Sequence, residues 1–379
     1  MGQVAVIGVG MTRFGKFPDR SVEDLGREAC WNAIQDAGIN PRDIQAAFCG
    51  HIYQGSVAGQ RVLVELGLTG IPIYNIENAC ASSSSGMELG CLGILSGQWD
   101  VVLAFGAEKL YGKIKGAIAP DESDIEGDLG IVAPGFWGMR ARRYMHQYGA
   151  TSGQLAMVSV QNRKNACLNP YAQYRKEVTV EEVLSSRLIA DPLHLLDCCP
   201  IGDGAAAAIL VSDRVVKKYS TRPIWVAGIA VSSGSVDSGT GDSTFEDLTD
   251  RAARQAYARA GIGPSDVDVA ELHNCFTIAE VVRSESLGLV PRGEGARWVA
   301  EGKTGINGEV PINPSGGLIA KGHPVGATGV AQVVEIAWHL RGDAGDRQVE
   351  GAKVGLTHNR GGIVAGTEGG ACCVTILKR

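Results

Sequence analysis

The sequence predicts an α/β protein made of two similar halves. Three observations carry this prediction: an internal repeat, short apolar strands that alternate with helical patterns, and glycines where the helical patterns end. Short buried strands that alternate with helices are typical of layered α/β domains. The chain has 379 residues, which is enough for about two or three domains.

The repeat is clearest where residues 22–47 align with residues 245–270. Eleven positions are identical at a constant offset of 223, and both segments keep a helical apolar pattern. The first copy opens on a capping-box pattern, Ser21 followed by Asp24, and the second on its equivalent, which starts at Thr244. Each copy ends at a glycine that is soon followed by proline, so we expect two equivalent helices, each followed by a strand.

Other elements recur in the same order along both halves. The matching strand segments are 4–10 with 223–229, 101–105 with 353–357, and 205–211 with 371–377. Each half is therefore predicted to be a β-α-β-α-β type unit that ends in an antiparallel strand. The predicted domains are an N-terminal half at 1–222, with an inserted region at about 111–197, and a C-terminal half at 223–379.

Composition excludes several functions. The chain has 35 basic and 41 acidic residues and no Lys/Arg run, which argues against nucleic-acid binding through phosphate neutralisation. No apolar run reaches the length of about 18 residues that a membrane span needs, and no basic leader precedes the first predicted strand. The ten cysteines include no C-x-x-C pair, so we expect free thiols and no metal site. We therefore expect a cytoplasmic protein that binds neither nucleic acid nor membrane.

Cys80 and His323 occupy matching places in the two halves. Each is followed by five residues, a glycine and a second helical pattern. A helix N-terminus lowers the pKa of a thiol and offers backbone N–H groups to an oxyanion. In a molecule with pseudo-twofold symmetry, two such helix starts can converge between the halves, which would place a nucleophilic Cys beside a His.

Four segments resemble the thiolase family, most closely its sterol-carrier-protein type. They are NACASSSSG around Cys80, Asp203-Gly-Ala-Ala-Ala, HNCF at 273–276 and GGLIAKGHPVGATG at 316–329. The resemblance covers essentially the whole chain, including the repeat. It implies the thiolase fold, in which two βαβαβαββ halves form five layers in the order αβαβα.

The resemblance also implies a role for each motif residue. The Cys that matches Cys80 takes the acyl group as a thioester, and the His that matches His323 activates that thiol and helps to bind the thioester oxygen. Cys275 is expected to be the acid/base, and His273 an oxyanion donor. The resemblance implies no cofactor bound by the chain, with coenzyme A as co-substrate and acyl-CoA as the other ligand.

The chain departs from the family pattern at two places. Ordinary thiolases carry their second Cys in a C-x-G motif, which is absent from the matching segment 357–370. Asn274 replaces the Asp of the H-D-C-F motif, which changes the local polarity. The substrate-binding surface is assigned to Asn274, to His358 after a repeated strand, and to glycines that permit close approach of the backbone to a ligand, namely Gly316, Gly317 and Gly322.

Three functions remain open, and a CoA-dependent thiolase that cleaves or forms a 3-oxoacyl-CoA leads them. The second is a same-fold acyltransferase or a carbon–carbon lyase that works by retro-aldol chemistry, although such a lyase does not need two thiols. The third is a non-catalytic acyl-CoA or lipid carrier, which should have no fast thiol that acyl-CoA protects from alkylation.

The resemblance extends to assembly. Two chains are expected to pair as a homodimer, or a higher oligomer, through their core sheets, and the strand at 101–106 is the predicted edge. Some close relatives work with a small zinc-ribbon/OB-fold partner protein that completes the CoA site. This chain has no dense basic cluster for the CoA phosphates, which favours such a partner. The cations could instead come from the chain itself, either from Arg140, Arg142 and Arg143 or from Arg175 and Lys176.

Overall fold

The computed structural model of the chain describes residues 2–114, 116, 118–119, 124–219, 222–237 and 241–379. The elements of the first half are β1 (Val4–Met11), α1 (Val22–Ala37), β2 (Ala46–Gly50), α2 (Ala58–Val64), β3 (Ile73–Ile76), α3 (Ser82–Leu95), β4 (Val101–Glu108), α4 (Ile125–Asp128), α5 (Ala133–Tyr148), α6 (Ser152–Cys167), α7 (Val180–Ser185), β5 (Leu188–Ala190), β6 (Leu193–His194), β7 (Gly204–Ser212) and α8 (Val216–Tyr219). Those of the second half are β8 (Ile224–Ser233), α9 (Asp247–Ala260), β9 (Val269–Leu272), α10 (Thr277–Ser286), α11 (Gly295–Ala300), α12 (Gly317–Ala320), α13 (Thr328–Arg341), β10 (Val354–Gly361) and β11 (Ala371–Lys378).

Nine strands of the described chain form one continuous sheet, in the order β3-β2-β4-β7-β1-β8-β11-β10-β9. In the first half, β2 pairs in parallel with β3 and β4, and β7 lies antiparallel between β4 and β1. In the second half, β9 pairs in parallel with β10, and β11 lies antiparallel between β10 and β8. The halves join where Ala5 and Val6 of β1 pair with Trp225 and Ile224 of β8. Outward from this junction, β1, β7, β4 and β2 of the first half match β8, β11, β10 and β9 of the second, and β3 extends the sheet on the first side alone. The predicted repeat is therefore confirmed for four strands of each half.

Helices divide the structure into five layers. α1 packs on the outer face of the first half, where its apolar side chains join those of β1, β2, β4 and β7. α9 packs on the outer face of the second half, against β8 and β11. α3 and α13 lie side by side between the halves and share one core with the inward faces of both. The predicted order αβαβα is confirmed, and it places the starts of both central helices inside the molecule.

The repeated helices α1 and α9 begin differently. Ser21 and Asp24 form the expected capping box of α1. The expected box at Thr244 is wrong, because Glu246 is the N-cap of α9 and makes no capping hydrogen bond, while Thr244 bonds to Asp242. The carboxylate of Glu246 pairs instead with buried arginines from other elements.

The edge strand of the first half is β3, so the prediction that the strand at 101–106 forms the edge is wrong. That segment belongs to β4, which is buried between β2 and β7. Its apolar character reflects burial inside the sheet. An edge strand that a second subunit covers would show the same apolar sequence pattern, so the pattern does not distinguish the two. β3 presents Tyr74, which is 43% exposed.

The region inserted at 111–197 covers the loop that carries the HNCF motif. Trp137 of α5 and Leu155 of α6 share an apolar cluster with Phe276 and Ile278 at the start of α10. The HNCF loop therefore lies between the insertion and the central helices.

Within the described ranges, none of the helices is both long enough and apolar enough to cross a membrane.

Candidate active site

Cys80 lies in a tight turn directly before α3. Ala79 has a φ of 46°, in the left-handed region that residues other than glycine rarely adopt. Asn78 holds this turn, because its side chain donates to Ser85 Oγ at 2.9 Å and its backbone N–H donates to Ser82 Oγ at 3.0 Å. The thiol is half-buried, so it is not closed into the protein core.

His323 faces Cys80 from the equivalent turn before α13. Its Nε2 lies 3.3 Å from Cys80 Sγ, and its Nδ1 lies 2.8 Å from Thr328 Oγ1. Thr328 donates its hydroxyl proton to the carbonyl of Pro324 at 3.1 Å, so its oxygen accepts from Nδ1–H of the imidazole. Nε2 is therefore unprotonated and is placed to accept the thiol proton of Cys80.

The starts of α3 and α13 cross in close contact, and glycine makes this contact feasible. A Cβ on Gly329 would lie 2.7 Å from the backbone nitrogen of Ser84. Ser83 Oγ accepts a hydrogen bond across the crossing from the backbone N–H of Val330, at 3.1 Å. The two matching helix starts therefore converge, as their places in the repeat predict.

The HNCF loop brings a second His and a second Cys to the same place. The rings of His273 and His323 lie edge to face, with their centroids 5.1 Å apart. One side-chain atom each of Cys80, His273 and His323 lies within 4.8 Å of the other two. Cys275 is half-buried. Burial, followed by the nearby thiol of Cys275, raises the pKa of Cys80, so the two thiols are near neighbours. The structure thus gathers all four predicted catalytic side chains.

Cys199 is a third thiol at this site. Its backbone N–H donates to the carbonyl of Cys275 at 2.9 Å. Burial, and then the nearby thiols of Cys275, Cys198 and Cys80, raise its pKa well above the ordinary range. The sequence places Cys199 in a turn before Pro200, where a pocket role is the less favoured of two interpretations. No local pattern indicates that this turn lies against the HNCF loop.

Arg283 on α10 is a residue of the site that sequence reasoning missed. Its Nη1 lies 3.9 Å from Cys275 Sγ and donates to the carbonyl of His273. Its Nε donates to Glu246 Oε2 at 3.1 Å. The helical period of α10 signals only that position 283 faces inward, and an Arg there is usually assigned to the surface.

Burial sets the protonation states of the resting site. It raises the pKa of both Cys80 and Cys275, and Arg283 partly opposes that rise at each thiol. Burial, followed by the charge of Arg283, lowers the pKa of His323 to about 3 and that of His273 well below its usual range. The resting site therefore holds neutral thiols and neutral imidazoles, and proton transfer must accompany attack on a substrate.

Asn274 belongs to a buried polar cluster beneath the site. Its Nδ2 donates to Glu280 Oε2 at 2.7 Å, and its Oδ1 accepts from the backbone N–H of Leu318 at 2.7 Å. Asn162 and Asn313 donate to the same Glu280 oxygen at 3.0 and 2.6 Å. The side chain of Asn274 is thus committed to holding the HNCF loop against the glycine-rich loop. A direct contact between Asn274 and substrate stays a prediction.

The three assigned glycines adopt positive φ angles, which favour glycine. Their φ values are 98° at Gly316, 57° at Gly317 and 114° at Gly322. A Cβ at Gly317 would lie 2.4 Å from Asn162 Oδ1, so its close approach is to protein atoms. The structure gives these glycines a folding role, and their contact with substrate stays a prediction.

His358 lies on β10 and is buried. Its Nε2 lies 3.1 Å from Thr249 Oγ1, and Thr249 donates its own proton to Glu246 at 2.8 Å, so Nε2 carries the imidazole proton. Burial lowers its pKa to about 3. His358 thus connects the site to the buried arginine cluster, and its role in lining the substrate pocket stays a prediction.

The structure removes Arg140 from the candidates for binding CoA phosphates. Arg140 is 7% exposed and donates to Glu246 Oε1 at 2.8 Å. Arg142 forms a bidentate pair with Asp191 on the surface. The assignment of Arg140 to a basic cradle rests on the two surface arginines that follow it, but Arg140 lies on the inward face of α5.

Comparisons with known proteins agree along the whole chain. The family model "Thiolase, N-terminal domain" matches residues 4–214, and "Thiolase C-terminal domain-like" matches residues 230–377. An acetyl-CoA acetyltransferase of Methanothermobacter thermautotrophicus is 44% identical over 100% of both chains. Sterol carrier protein 2 of Bos taurus is 42% identical over 99% of this chain and 72% of its own length.

Two further relatives differ in the chemistry that their names state. The benzoylsuccinyl-CoA thiolase subunit BbsB of Thauera aromatica is 40% identical over 95% of each chain. Among solved structures, one named "Ltp2-ChsH2(DUF35) aldolase" has a TM-score of 0.86 and 28% identity, and covers 99% of this chain and 97% of its own.

Proposed function

The chain belongs to the thiolase family, and we propose that it is a CoA-dependent thiolase that cleaves, or forms by Claisen condensation, a 3-oxoacyl-CoA. One observation carries the proposal: Cys80 Sγ lies 3.3 Å from the unprotonated Nε2 of His323, with Cys275 beside them. A nucleophile, its base and a second acid are the groups that this reaction needs.

Acylation begins when Cys80 passes its proton to His323 and its sulfur attacks the 3-keto carbon. The C2–C3 bond then breaks, and its electron pair moves into the enolate of the departing thioester. Cys275 donates its proton to C2, which releases a shortened acyl-CoA and leaves the remaining acyl group on Cys80. Imidazole and backbone N–H donors at the two helix starts stabilise the developing oxyanions.

The second half-reaction transfers the acyl group to coenzyme A. The thiol of CoA gives its proton to Cys275 and attacks the Cys80 thioester. Cys80 then leaves and takes back the proton that His323 has held since the first half-reaction. The same groups work in reverse for condensation. Both directions begin from the neutral Cys80–His323 pair, because burial disfavours the thiolate and the imidazolium until an oxyanion forms beside them.

The retro-aldol lyase is the second candidate, since a solved relative is named an aldolase. The pairing of Cys80 with His323 and the position of Cys275 favour the thiolase, because retro-aldol cleavage forms no acyl-enzyme. A non-catalytic carrier would gain nothing from a nucleophile whose base is oriented by a dedicated hydrogen bond to Thr328.

The proposed assembly is a homodimer that acts in the cytoplasm. Its pairing surface would consist of Tyr74 on the edge strand β3 and the exposed leucines of α3, namely Leu89, Leu92 and Leu95. We also propose a zinc-ribbon/OB-fold partner, because Arg140 is buried and the phosphates of CoA need cations or helix N-termini. The name of one solved relative joins its chain with a DUF35 component, which supports this choice.

The decisive experiment follows CoA-dependent loss of the enolate absorbance of a 3-oxoacyl-CoA and examines the protein by mass spectrometry. A thiolase gives a new acyl-CoA and an acyl adduct on the Cys80 peptide. An aldolase splits a 3-hydroxyacyl-CoA without an adduct, and a carrier turns over neither. CoA titration with and without a co-expressed zinc protein tests the partner, since tight binding by the isolated chain would remove the need for one.

A further inference from the structure

Three arginines are buried around one glutamate behind the HNCF loop. Arg140, Arg283 and Arg360 each form an ion pair with Glu246, and none of the four is more than 7% exposed. Within the residues that the structure describes, no second carboxylate pairs with any of the three guanidinium groups. The cluster therefore carries two surplus positive charges in a region where charges are normally paired. A further anion would stabilise it.

Arg283 is the member of the cluster that reaches the reacting groups. Its Nη1 lies 3.9 Å from Cys275 Sγ, and its guanidinium stacks 4.9 Å from the ring centroid of Trp137. Arg140 turns its other donors to backbone carbonyls outside the site, those of Ser243 and Phe245. Among the described residues, the side chain of Arg360 donates to Glu246 and makes no hydrogen bond to Cys275. An anion that enters beside Cys275 would therefore meet Arg283 first.

We propose that Arg283 binds a carboxylate of the acyl substrate, so that the preferred substrates are 2-(carboxyalkyl)-3-oxoacyl-CoA thioesters. The inference rests on the proposed thiolase function, in which Cys275 protonates C2. For that transfer C2 comes within about 3–3.5 Å of Cys275 Sγ. Because Arg283 Nη1 is 3.9 Å from the same sulfur, a short substituent on C2 places its carboxylate on the guanidinium.

The reaction then balances as an ordinary thiolysis. The C2–C3 bond breaks, the C3 acyl group forms a bond to Cys80 Sγ, and C2 receives the proton of Cys275. The first product is a dicarboxylic acid held as its mono-CoA thioester, with the free carboxylate still on Arg283. CoA then takes the acyl group from Cys80 and returns a proton to Cys275, so no oxidant or reductant is consumed.

The arginine cluster could instead serve to stabilise a Cys275 thiolate, but that role explains only part of its surplus positive charge. One thiolate neutralises one of the two surplus positive charges. Burial also keeps the pKa of Cys275 above its ordinary value despite the adjacent Arg283, so the thiol keeps its proton in the free protein. A guanidinium has parallel N–H groups that can bind both oxygens of a carboxylate at once. A single sulfur atom cannot accept both of these hydrogen bonds in the same geometry.

The test compares 2-(carboxymethyl)-3-oxobutanoyl-CoA with its methyl ester, which is nearly the same size but uncharged. Thiolysis by the full chain is followed as acetyl-CoA formation. We expect kcat/KM to favour the acid by about 10–100-fold, the range that charged hydrogen bonds give. Arg283→Gln should abolish this preference, and Arg283→Lys should retain part of it. Arg140→Gln, which removes the same charge without touching the site, is the matched control and should keep most of the preference.

Two results would overturn the inference while leaving the thiolase function intact. One is a wild-type protein that acylates Cys80 from both thioesters with equal kcat/KM. The other is an Arg283→Gln variant that slows acid and ester equally and shifts the pH profile, since Arg283 would then only tune Cys275. Failure of both thioesters to acylate Cys80 would instead remove the proposed function. If the variants do not fold, tighter binding of 3-carboxypropanoyl-CoA than of its methyl ester by the wild-type chain tests the same contact, and equal binding would refute it.

Discussion

The two central helices, α3 and α13, occupy equivalent places in the repeat but have opposite surroundings. α13 is buried along nearly all its length, with only Trp338 and Arg341 partly exposed. α3 is buried on one side and presents a stripe of leucines on the other, with Leu89, Leu92 and Leu95 between 40% and 52% exposed. Each helix also begins with a different reactive residue, a half-buried thiol before α3 and a buried imidazole before α13.

The hydroxyls near the two helix starts show how one scaffold supports both roles. Ser85 and Thr328 are equivalent in the repeat. Ser85 Oγ accepts from the side chain of Asn78 and so fixes the turn around the nucleophile. Thr328 Oγ1 accepts from Nδ1 of His323 and so fixes the tautomer of the base. The repeat thus supplies two similar turns, and in the proposed mechanism the residue at each turn determines whether it attacks the substrate or accepts a proton.

The largest effect is expected at the start of α3. Cys80→Ala removes the nucleophile, and turnover should fall by about 10⁴–10⁶-fold, as for other covalent enzymes. Cys91→Ala, deep in the same helix, is the control and should retain both the adduct and turnover. Mass spectrometry after incubation with a 3-oxoacyl-CoA measures the adduct. An adduct on Cys91 or Cys275 in the wild-type protein would contradict the assignment.

The next effect separates the two thiols. Cys275→Ala should still form the acyl-enzyme from an acyl-CoA, because the Cys80–His323 pair is intact. Overall turnover should fall by about 10²–10⁴-fold, the usual contribution of a general acid/base. Rapid-quench measurement of the adduct and steady-state rates give the two numbers. Near-normal turnover would place the acid/base elsewhere, with His358 the first alternative.

The outward face of α3 should hold the dimer. Leu92→Glu puts a charge on the exposed stripe, and we expect the dissociation constant to rise by about 100-fold or more, because an unpaired charge is costly at an apolar interface. Light scattering at micromolar concentration measures the change. Leu188→Glu, an equally exposed leucine in the insertion, should leave the mass unchanged. A wild-type chain that is already monomeric would refute the dimer.

Equivalent glycines in the two helices should respond differently to alanine. A Cβ at Gly329 would lie 2.7 Å from the Ser84 backbone, whereas one at Gly86 would lie 3.3 Å from the Phe48 side chain. Gly329→Ala should therefore lower the free energy of unfolding by about 1–3 kcal/mol. Gly86→Ala should change it by less than about 1 kcal/mol, because the gain in helix propensity offsets the tight contact. Urea titration decides, and equal losses would show that the crossing is not especially tight.

The smallest effect concerns pH. Burial lowers the pKa of His323 and His358 from 6.5 to about 3. Below pH 6.5 the unfolded chain binds protons that the folded chain does not, so stability is full above that pH and declines as pH falls toward 3. Each histidine contributes about 1.4 kcal/mol per pH unit in this range. His358→Gln should reduce the slope of unfolding free energy against pH between pH 6 and 5 by about that amount, as measured by urea titration at each pH. An unchanged slope would contradict the assignment.

Several features follow from the sequence alone because their signals lie within short stretches of the chain. The aligned segments 22–47 and 245–270 reveal the two halves, since cap, helical period and terminal glycine all lie within one short stretch. Cys80 and His323 can be paired from the sequence because the repeat assigns them equivalent turns. The pairing needs only symmetry, although the two residues are 243 positions apart.

Other features were decided only when the chain folded. No sequence pattern indicates that Arg140, Arg283 and Arg360 share Glu246, because these partners lie 37 to 114 residues apart and come from different layers. For the same reason the prediction of the sheet edge at 101–106 is wrong. The apolar sequence of β4 is the same whether neighbouring strands pair with it on one side or on both. Local pattern determines which face of an element is buried. Which side chains meet there, and how their charges balance, depends on packing between elements that the pattern does not describe.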